Sequence, residues 1–441
     1  MFIKSRPPLS YPLTLLPFLA LLLLLNACKA GGNTEYPTGN VVFIHPDGTA
    51  GNTWGALRIF KVGPDGNLNW DKLDHMGLYR SHQLDVVGTS SNAGATAHAY
   101  GVKAEYDDYG IDPDRPFNAL SGKPMSIMME AQAAGYSVAV INSGNYVEPG
   151  TGVFLASSKA RNLNDEITAK ILMSNADVIF GPGEALLLPE GVTGVWGVGQ
   201  RKDGKNLIKE AQQQGYTVIY TQAQLAALAP TTSKVLGVFA LHNTYNDVSE
   251  EELSKLGKTP YLENTPSVAE MTDAAIKLFS HREKPFFIVV EEEGTDNFGN
   301  AMNASGVFEA LNRADEAIGV VTSFIETNPN TLLVVAADSD AGGMQVIFVW
   351  EKDARKPLAS LTWGGAPQDG ITGTGTLPFI SQPDQFGRTH AFAISWVSRG
   401  DVYGGVIARA HGLNAELLPN NVDNTDIYRL MYTTLFGIKL D

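Results

Sequence analysis

LLVVAADSDAGG, residues 332–343, opens on four apolar residues and closes on acids and glycines. Residues 332–335 are too few and too β-branched for a helix of their own, and they read as a strand buried on both faces of a parallel α/β sheet. Three more stretches share this form: VVFIHPDG (41–48), DVVGTSSNAGATAHAYGVK (85–103) and FFIVVEEEGTDNFGN (286–300). In parallel sheets ligands sit beyond the carboxyl ends of the strands. Asp47, Glu291 and Asp338 each follow an apolar run, so the fold is expected to bring them together. Converging carboxylates repel one another unless a cation or a basic side chain lies between them. The pattern therefore predicts a metal site.

The 441 residues are 44% hydrophobic, ample for one large α/β domain or two smaller ones. Early and late blocks contribute to one site, which favours a single domain, residues 40–441, carrying insertions. The start of the chain reads as targeting rather than structure. Lys4 and Arg6 precede LTLLPFLALLLLL (13–25), an apolar core shorter than a membrane span. LNAC follows, with Cys28 the sole cysteine. This arrangement resembles a bacterial lipoprotein signal, residues 1–27, and implies an acylated Cys28 that anchors the protein to the cell envelope, on its periplasmic or extracellular face. An ordinary secretory signal with a stray cysteine is the alternative. Residues 28–39, polar and glycine-containing, read as a tether. A lone cysteine leaves no internal disulfide. Loss of Lys4 and Arg6 with the signal takes the formal charge from −15 to −17. An acidic surface disfavours nucleic acid, whose phosphate backbone needs a basic one.

Residues 123–135 have helical spacing and lead into SVAVI (137–141), a strand with Asn142 at its end. Residues 165–175 and 270–279 also read as amphipathic helices. Residues 349–388 are rich in Gly, Pro, Thr and Gln, and are expected to form an insertion over the active face.

Taken in order, these blocks resemble the alkaline phosphatase family over almost the whole mature chain. The resemblance implies a large, mostly parallel central sheet sandwiched by helices. VVFIHPDGTAG resembles the family's opening strand, whose aspartate (Asp47) bridges two metals. TSSNAGATAHAYGVK resembles the nucleophile block, with Ser91 at the nucleophile position. The acidic turn after FFIVV implies a magnesium ligand at Glu291 and a zinc ligand at Asp296, and AADSDAGG implies a last metal aspartate at Asp338. Glu148 stands at the magnesium-site acid, with Gly150 at its threonine partner and Thr151 next to it. Arg161 falls at the spacing of the phosphate-binding arginine, with Lys159 close by. The departures are specific. The family's zinc histidines are replaced by Asn300 and Ser339. The third is expected before AFAISWV, where the simplest register gives Phe386, with His390 four residues on. The acid before the nucleophile is Ser90, and the family's disulfides are absent.

The residue chemistry fits this resemblance. Ser91 precedes small residues suited to a turn into a helix, where backbone N–H groups can hold an anion. Serine needs a base or a cation to become nucleophilic. Asp296 and Asn300 are spaced i, i+4 and share a face if a helix starts there. A row such as Glu291, Glu292 and Glu293 is commonly a solvated charge run, and Glu291 is singled out because it directly follows the strand. Asp340 accompanies Asp338. Arg161 can grip two phosphate oxygens through its planar fork. His45, two residues before Asp47, is either a packed histidine or an added nitrogen ligand, and His98 and His242 read as structural. The set Asp47, Glu148, Glu291, Asp296, Asn300, Asp338 and Ser339 offers oxygen donors. These suit magnesium, manganese or calcium, whereas zinc favours nitrogen and sulfur. Two readings follow: a metal-dependent phosphomonoester hydrolase acting through a phosphoserine on Ser91, or a catalytically impaired scaffold that binds an anion or a partner protein. A diester or sulfate substrate, and a homodimeric assembly, stay open.

Overall fold

Three of the four apolar runs become the central strands of a ten-stranded sheet. The fourth is corrected, since residues 85–90 form no strand and run as irregular backbone into the helix Ser91–Tyr100. The computed structural model describes residues 35–110, 118–361 and 368–441; the expected signal, Cys28 and most of the expected tether lie outside them. The ten strands are β1 (Asn40–Pro46), β2 (His75–Arg80), β3 (Ser137–Asn142), β4 (Val178–Gly181), β5 (Thr217–Ile219), β6 (Val235–Val238), β7 (Phe286–Glu292), β8 (Thr331–Val335), β16 (Ile407–Gly412) and β17 (Asn421–Asp423). Between β8 and β16 lie the two-residue pair β9 (Asp340–Ala341) and β15 (Asp401–Val402). The same interval holds a small antiparallel sheet of β10 (Gln345–Phe348), β11 (Asp369–Gly370), β12 (Gly373–Thr374), β13 (Phe379–Ile380) and β14 (Ala391–Ser395).

The strand order is β17-β2-β16-β8-β1-β7-β3-β4-β6-β5. From β8 to β5 every pairing is parallel, and β16 runs antiparallel to both its neighbours. In register, Ile44 of β1 lies between Val290 of β7 and Val335 of β8, so these three strands end together. That coincidence of ends places Asp47, Glu291 and Asp338 on one rim.

Alternate residues serve opposite faces, as the pleat requires. Val41, Phe43, Phe287, Val289, Leu332 and Val334 pack beneath the helices Ser91–Tyr100 and Asn424–Phe436. Val42, Ile44, Ile288, Val290, Leu333 and Val335 pack against Gly51–Lys61, Val268–Ser280 and Ala304–Thr327. Burying one Val, Leu or Ile side chain stabilises by about 1.5–3 kcal/mol. The apolar stems of these strands thereby offset the cost of the buried acids at their ends.

Residues 349–388 contribute β11 to β13 of the small sheet, with 362–367 outside the described residues. The contacts of this segment run to the flanking helices: Gln382 N–H donates to the Ile59 carbonyl (3.2 Å), and Phe379 packs edge-on against Phe60 and Phe308. At the N-terminal side, Tyr36 and Gly39 donate to the Gly437 and Thr434 carbonyls, so the last residues of the expected tether are bonded to the body. Among the described residues no helix is long and apolar enough to cross a membrane.

Candidate functional site

Past the carboxyl ends of β1, β7 and β8 the backbone turns, and the side chains expected to meet do meet. Asp47, Glu291, Asp338 and Ser339 have no measurable exposure, and Asp296 is 6% exposed. Ser91 is the first residue of its helix, capped by Ser90, whose hydroxyl accepts from Ala93 N–H. Its side chain faces Asp47. The helix can approach the acids this closely because Gly94 lacks a side chain. A Cβ there would lie 2.4 Å from the Cβ of Asp338.

The EEE run is not a solvated charge run, since all three glutamates are buried. Glu292 is absorbed by structure, accepting from Ser143, Tyr261 and Gly294 N–H. Glu291 accepts from Gly150 N–H (3.0 Å), the Thr151 hydroxyl (3.0 Å) and the Asn142 amide. Thr151 thus supplies the hydroxyl that Gly150 cannot. Glu293 enters the cluster beside Glu148 and Asp47. Glu291 and Glu292 end β7 on opposite faces of the pleat, while Glu293 lies in the turn beyond, whose twist alone decides its neighbours, so sequence reading missed Glu293.

The expected helical face at Asp296 and Asn300 exists within the helix Gly294–Asn300. The Asn300 amide donates to Asp296 Oδ2 (3.0 Å) and to Asp401 Oδ1 (3.2 Å). Asp401 is therefore the third member of this group, carried in by the pairing of β15 with β9. The register placing the third position before AFAISWV is corrected: Phe386 is exposed, and His390 pairs with Asp384 (3.1 Å) on the surface. Asp401 lies after that strand and was missed because an aspartate in a polar loop carries no local signal.

Glu148 and Arg161 pair with each other. Asn145 occupies the other Glu148 oxygen, so in this structure Glu148 serves to hold the arginine at the rim of the cluster. Neighbouring Glu148, Glu293 and Asp47 outweigh burial and strengthen the arginine's hold on its proton.

The electrostatics report crowding. Burial, reinforced by neighbouring acids, pushes Glu291 up to about 7 and Asp340 up to about 7. Burial raises Glu293, Asp296 and Asp338 further still, with their acidic neighbours adding to it. Asp47 alone moves down, because Asp338, His45 and Ser91 together outweigh its burial. Several polar atoms here are buried without a hydrogen-bond partner: both oxygens of Asp47 and of Asp338, Ser339 Oγ, Asp296 Oδ1, Asn300 Oδ1 and His45 Nε2. Orphaned buried acceptors cost free energy, and divalent cations resolve both the orphaning and the repulsion. The donors around Asp296, Asn300 and Asp401 are all oxygen, and so are those around Asp47, Asp338, Ser339 and Ser91 apart from His45 Nε2, which lies 3.3 Å from Asp47 Oδ1. They fit a hard cation and fit zinc poorly. Asn300 can join by turning its amide, whose two ends are alike in shape.

Comparison with known proteins identifies the family of this chain. The alkaline phosphatase family model matches residues 38–436, and the chain belongs to that family. It is 26% identical over 352 residues to the alkaline phosphatase of Escherichia fergusonii, covering 71% of this chain and 72% of that protein. It is also 26% identical over 359 residues to a streptomycin-6-phosphate phosphatase of Streptomyces griseus, covering 72% and 78%. Among solved structures, alkaline phosphatase from the Antarctic bacterium TAB5 superposes with a TM-score of 0.70 at 20% identity, covering 91% of this chain and 100% of that one. Alkaline phosphatase of Thermus thermophilus gives 0.70 at 20%, covering 91% and 92%. A mutant of the TAB5 enzyme is solved with Mg bound in its M3 site (TM-score 0.67, 20% identity, covering 91% and 99%).

Proposed function

We propose that this member of the alkaline phosphatase family is a metal-dependent phosphomonoester hydrolase that works through Ser91 with its outer cations held by oxygen ligands. The observation that carries the reading is Ser91 at a helix N-terminus, facing a buried acid cluster whose orphaned oxygens call for divalent charge. Asp47, Asp338 and Ser339 would hold one cation and Asp296, Asn300 and Asp401 another. Such cations supply positive charge for the nucleophile and for the departing oxygen. A TAB5 alkaline phosphatase mutant carrying Mg in its M3 site is an instance of a hard ion held in this fold.

The chain's own residues do the rest. The first-turn amides of the Ser91 helix face the incoming phosphoryl group. Arg161, steadied by Glu148, has further N–H donors to grip its oxygens. Ser91 Oγ bonds to phosphorus as the ester P–O bond breaks, and the serine proton ends on the departing alcohol. Water then cleaves the Ser91–phosphate bond, restoring the hydroxyl and releasing phosphate.

The test is p-nitrophenyl phosphate turnover with magnesium, manganese, calcium and zinc supplied separately, in wild type and Ser91→Ala. The expected result is activity with a hard cation and a loss of at least about a thousandfold in the variant, with metal content unchanged. Equal turnover by Ser91→Ala overturns the reading. Absent turnover in wild type with no bound metal favours an anion-binding scaffold.

A further inference from the structure

His45 is fully buried at the end of β1, where its ring meets the acid cluster. Its Nδ1 lies 2.8 Å from the Ala336 carbonyl oxygen. A carbonyl only accepts, so Nδ1 carries the hydrogen, and in the neutral ring Nε2 presents its lone pair. Nε2 is 3.3 Å from Asp47 Oδ1 and 3.9 Å from Asp338 Oδ1, and no hydrogen bond satisfies it. A lone pair facing a carboxylate across a dry interior is unfavourable unless a proton or a metal cation lies between them. Against the effect of burial, the nearby acids raise the hold of His45 on such a proton when no metal is bound. Ligand atoms of His45, Asp47 and Glu291 all fall within 4.8 Å of one another.

The surroundings hold that arrangement in place. At position 150, a Cβ would stand 2.6 Å from His45 Cδ2 and 2.2 Å from Glu291 Oε1. Glycine there gives the imidazole and the carboxylate the space in which they converge. Each donor is oriented from behind. Ala336 fixes the ring, and Gly150 N–H, Thr151 and Asn142 fix Glu291. Outer hydrogen bonds of this kind are the usual support of metal ligands.

We propose that His45 Nε2, Asp47 and Glu291 form a mixed nitrogen–oxygen site that takes a transition-metal ion, of the class of manganese, cobalt or zinc, in preference to magnesium. Imidazole favours such ions, whereas magnesium favours oxygen alone. The proposal rests on the reading that these acids hold cations, and deepens it. Nitrogen is missing from the donor set of Asp296, Asn300 and Asp401 and is supplied from β1 instead, by His45.

The experiment loads the chelator-stripped protein with one equivalent of Mn(II) and records pulsed electron paramagnetic resonance for coupling to nitrogen-14. Wild type is expected to show imidazole nitrogen coupling. His45→Gln is expected to lose it and to bind Mn(II) at least about tenfold more weakly. Glu291→Gln should weaken binding while keeping the nitrogen signal in whatever Mn(II) remains bound. Bound Mn(II) without nitrogen coupling in wild type, or coupling that persists in His45→Gln, overturns the inference and leaves the hydrolase reading standing. Failure of the protein to bind any divalent ion overturns both.

Discussion

Replacing Glu291 by Gln should raise the stability of the metal-free protein relative to wild type as pH rises, and lower that of the metal-loaded one. Burial, reinforced by Asp47 and Glu148, pushes this carboxyl from 4.5 up to about 7 in the folded chain. For an acid whose folded pKa is raised, the sign is fixed. Stability is full below the unfolded value, falls as pH rises between the two values, and stays low above the folded one. The displacement corresponds to ~3 kcal/mol, an appreciable part of a typical 5–15 kcal/mol. Glutamine carries no charge but turns an NH2 end toward groups that donate to Glu291, so the readout is the pH dependence. Relative to wild type the variant should gain ~3 kcal/mol between pH 4.5 and pH 8. For a body spanning Tyr36–Asp441, an unfolding entropy of about 2.1 cal/mol/K per residue makes this ~3–4 °C in Tm. The assay is thermal unfolding of both proteins at pH 4.5, 6 and 8, with chelator and then with saturating manganese or magnesium. With the cation that gain should become a loss, because wild type binds it more tightly and ligand binding adds to stability. A variant whose difference from wild type in chelator is the same at pH 4.5 and pH 8 would refute the account of the site as crowded, uncompensated charge.

Two further substitutions probe the rim and the oxygen-donor group. Arg161→Lys keeps the charge but loses the planar fork, and should lower kcat/KM by about tenfold to a hundredfold, mostly through KM for the phosphate ester; unchanged steady-state constants would remove Arg161 from the site. Asp401→His adds a nitrogen donor beside Asp296 and should raise the ratio of zinc to magnesium affinity at least about tenfold. Competition titration by calorimetry reads this directly, and an unchanged ratio would show that Asp401 is not a ligand.

Much of the architecture was open to local reading. The strands at 41–44, 286–290 and 332–335 are continuous apolar runs because both faces of a central parallel sheet are covered. The spacing of Asp296 and Asn300 is a helical one, and a helix forms there. Composition was a weaker guide. Residues 349–388, unpatterned in sequence, pair into a small sheet against flanking helices, because strands of two residues are too short to show a period.

Local pattern determined which strands are central, where they end, that acids stand at those ends, and that Ser91 opens a helix. Each of these follows from a continuous apolar run or a change of composition within one segment. Tertiary structure alone decided that Asp401 joins Asp296 and Asn300, that Glu293 enters the cluster while Glu292 does not, and that His45 turns its free nitrogen toward Asp47. Those outcomes depend on pairs such as His45 with Ala336 and Asn300 with Asp401, separated by 291 and 101 residues. Proximity of that kind is set by strand register and the twist of turns, which no single segment encodes.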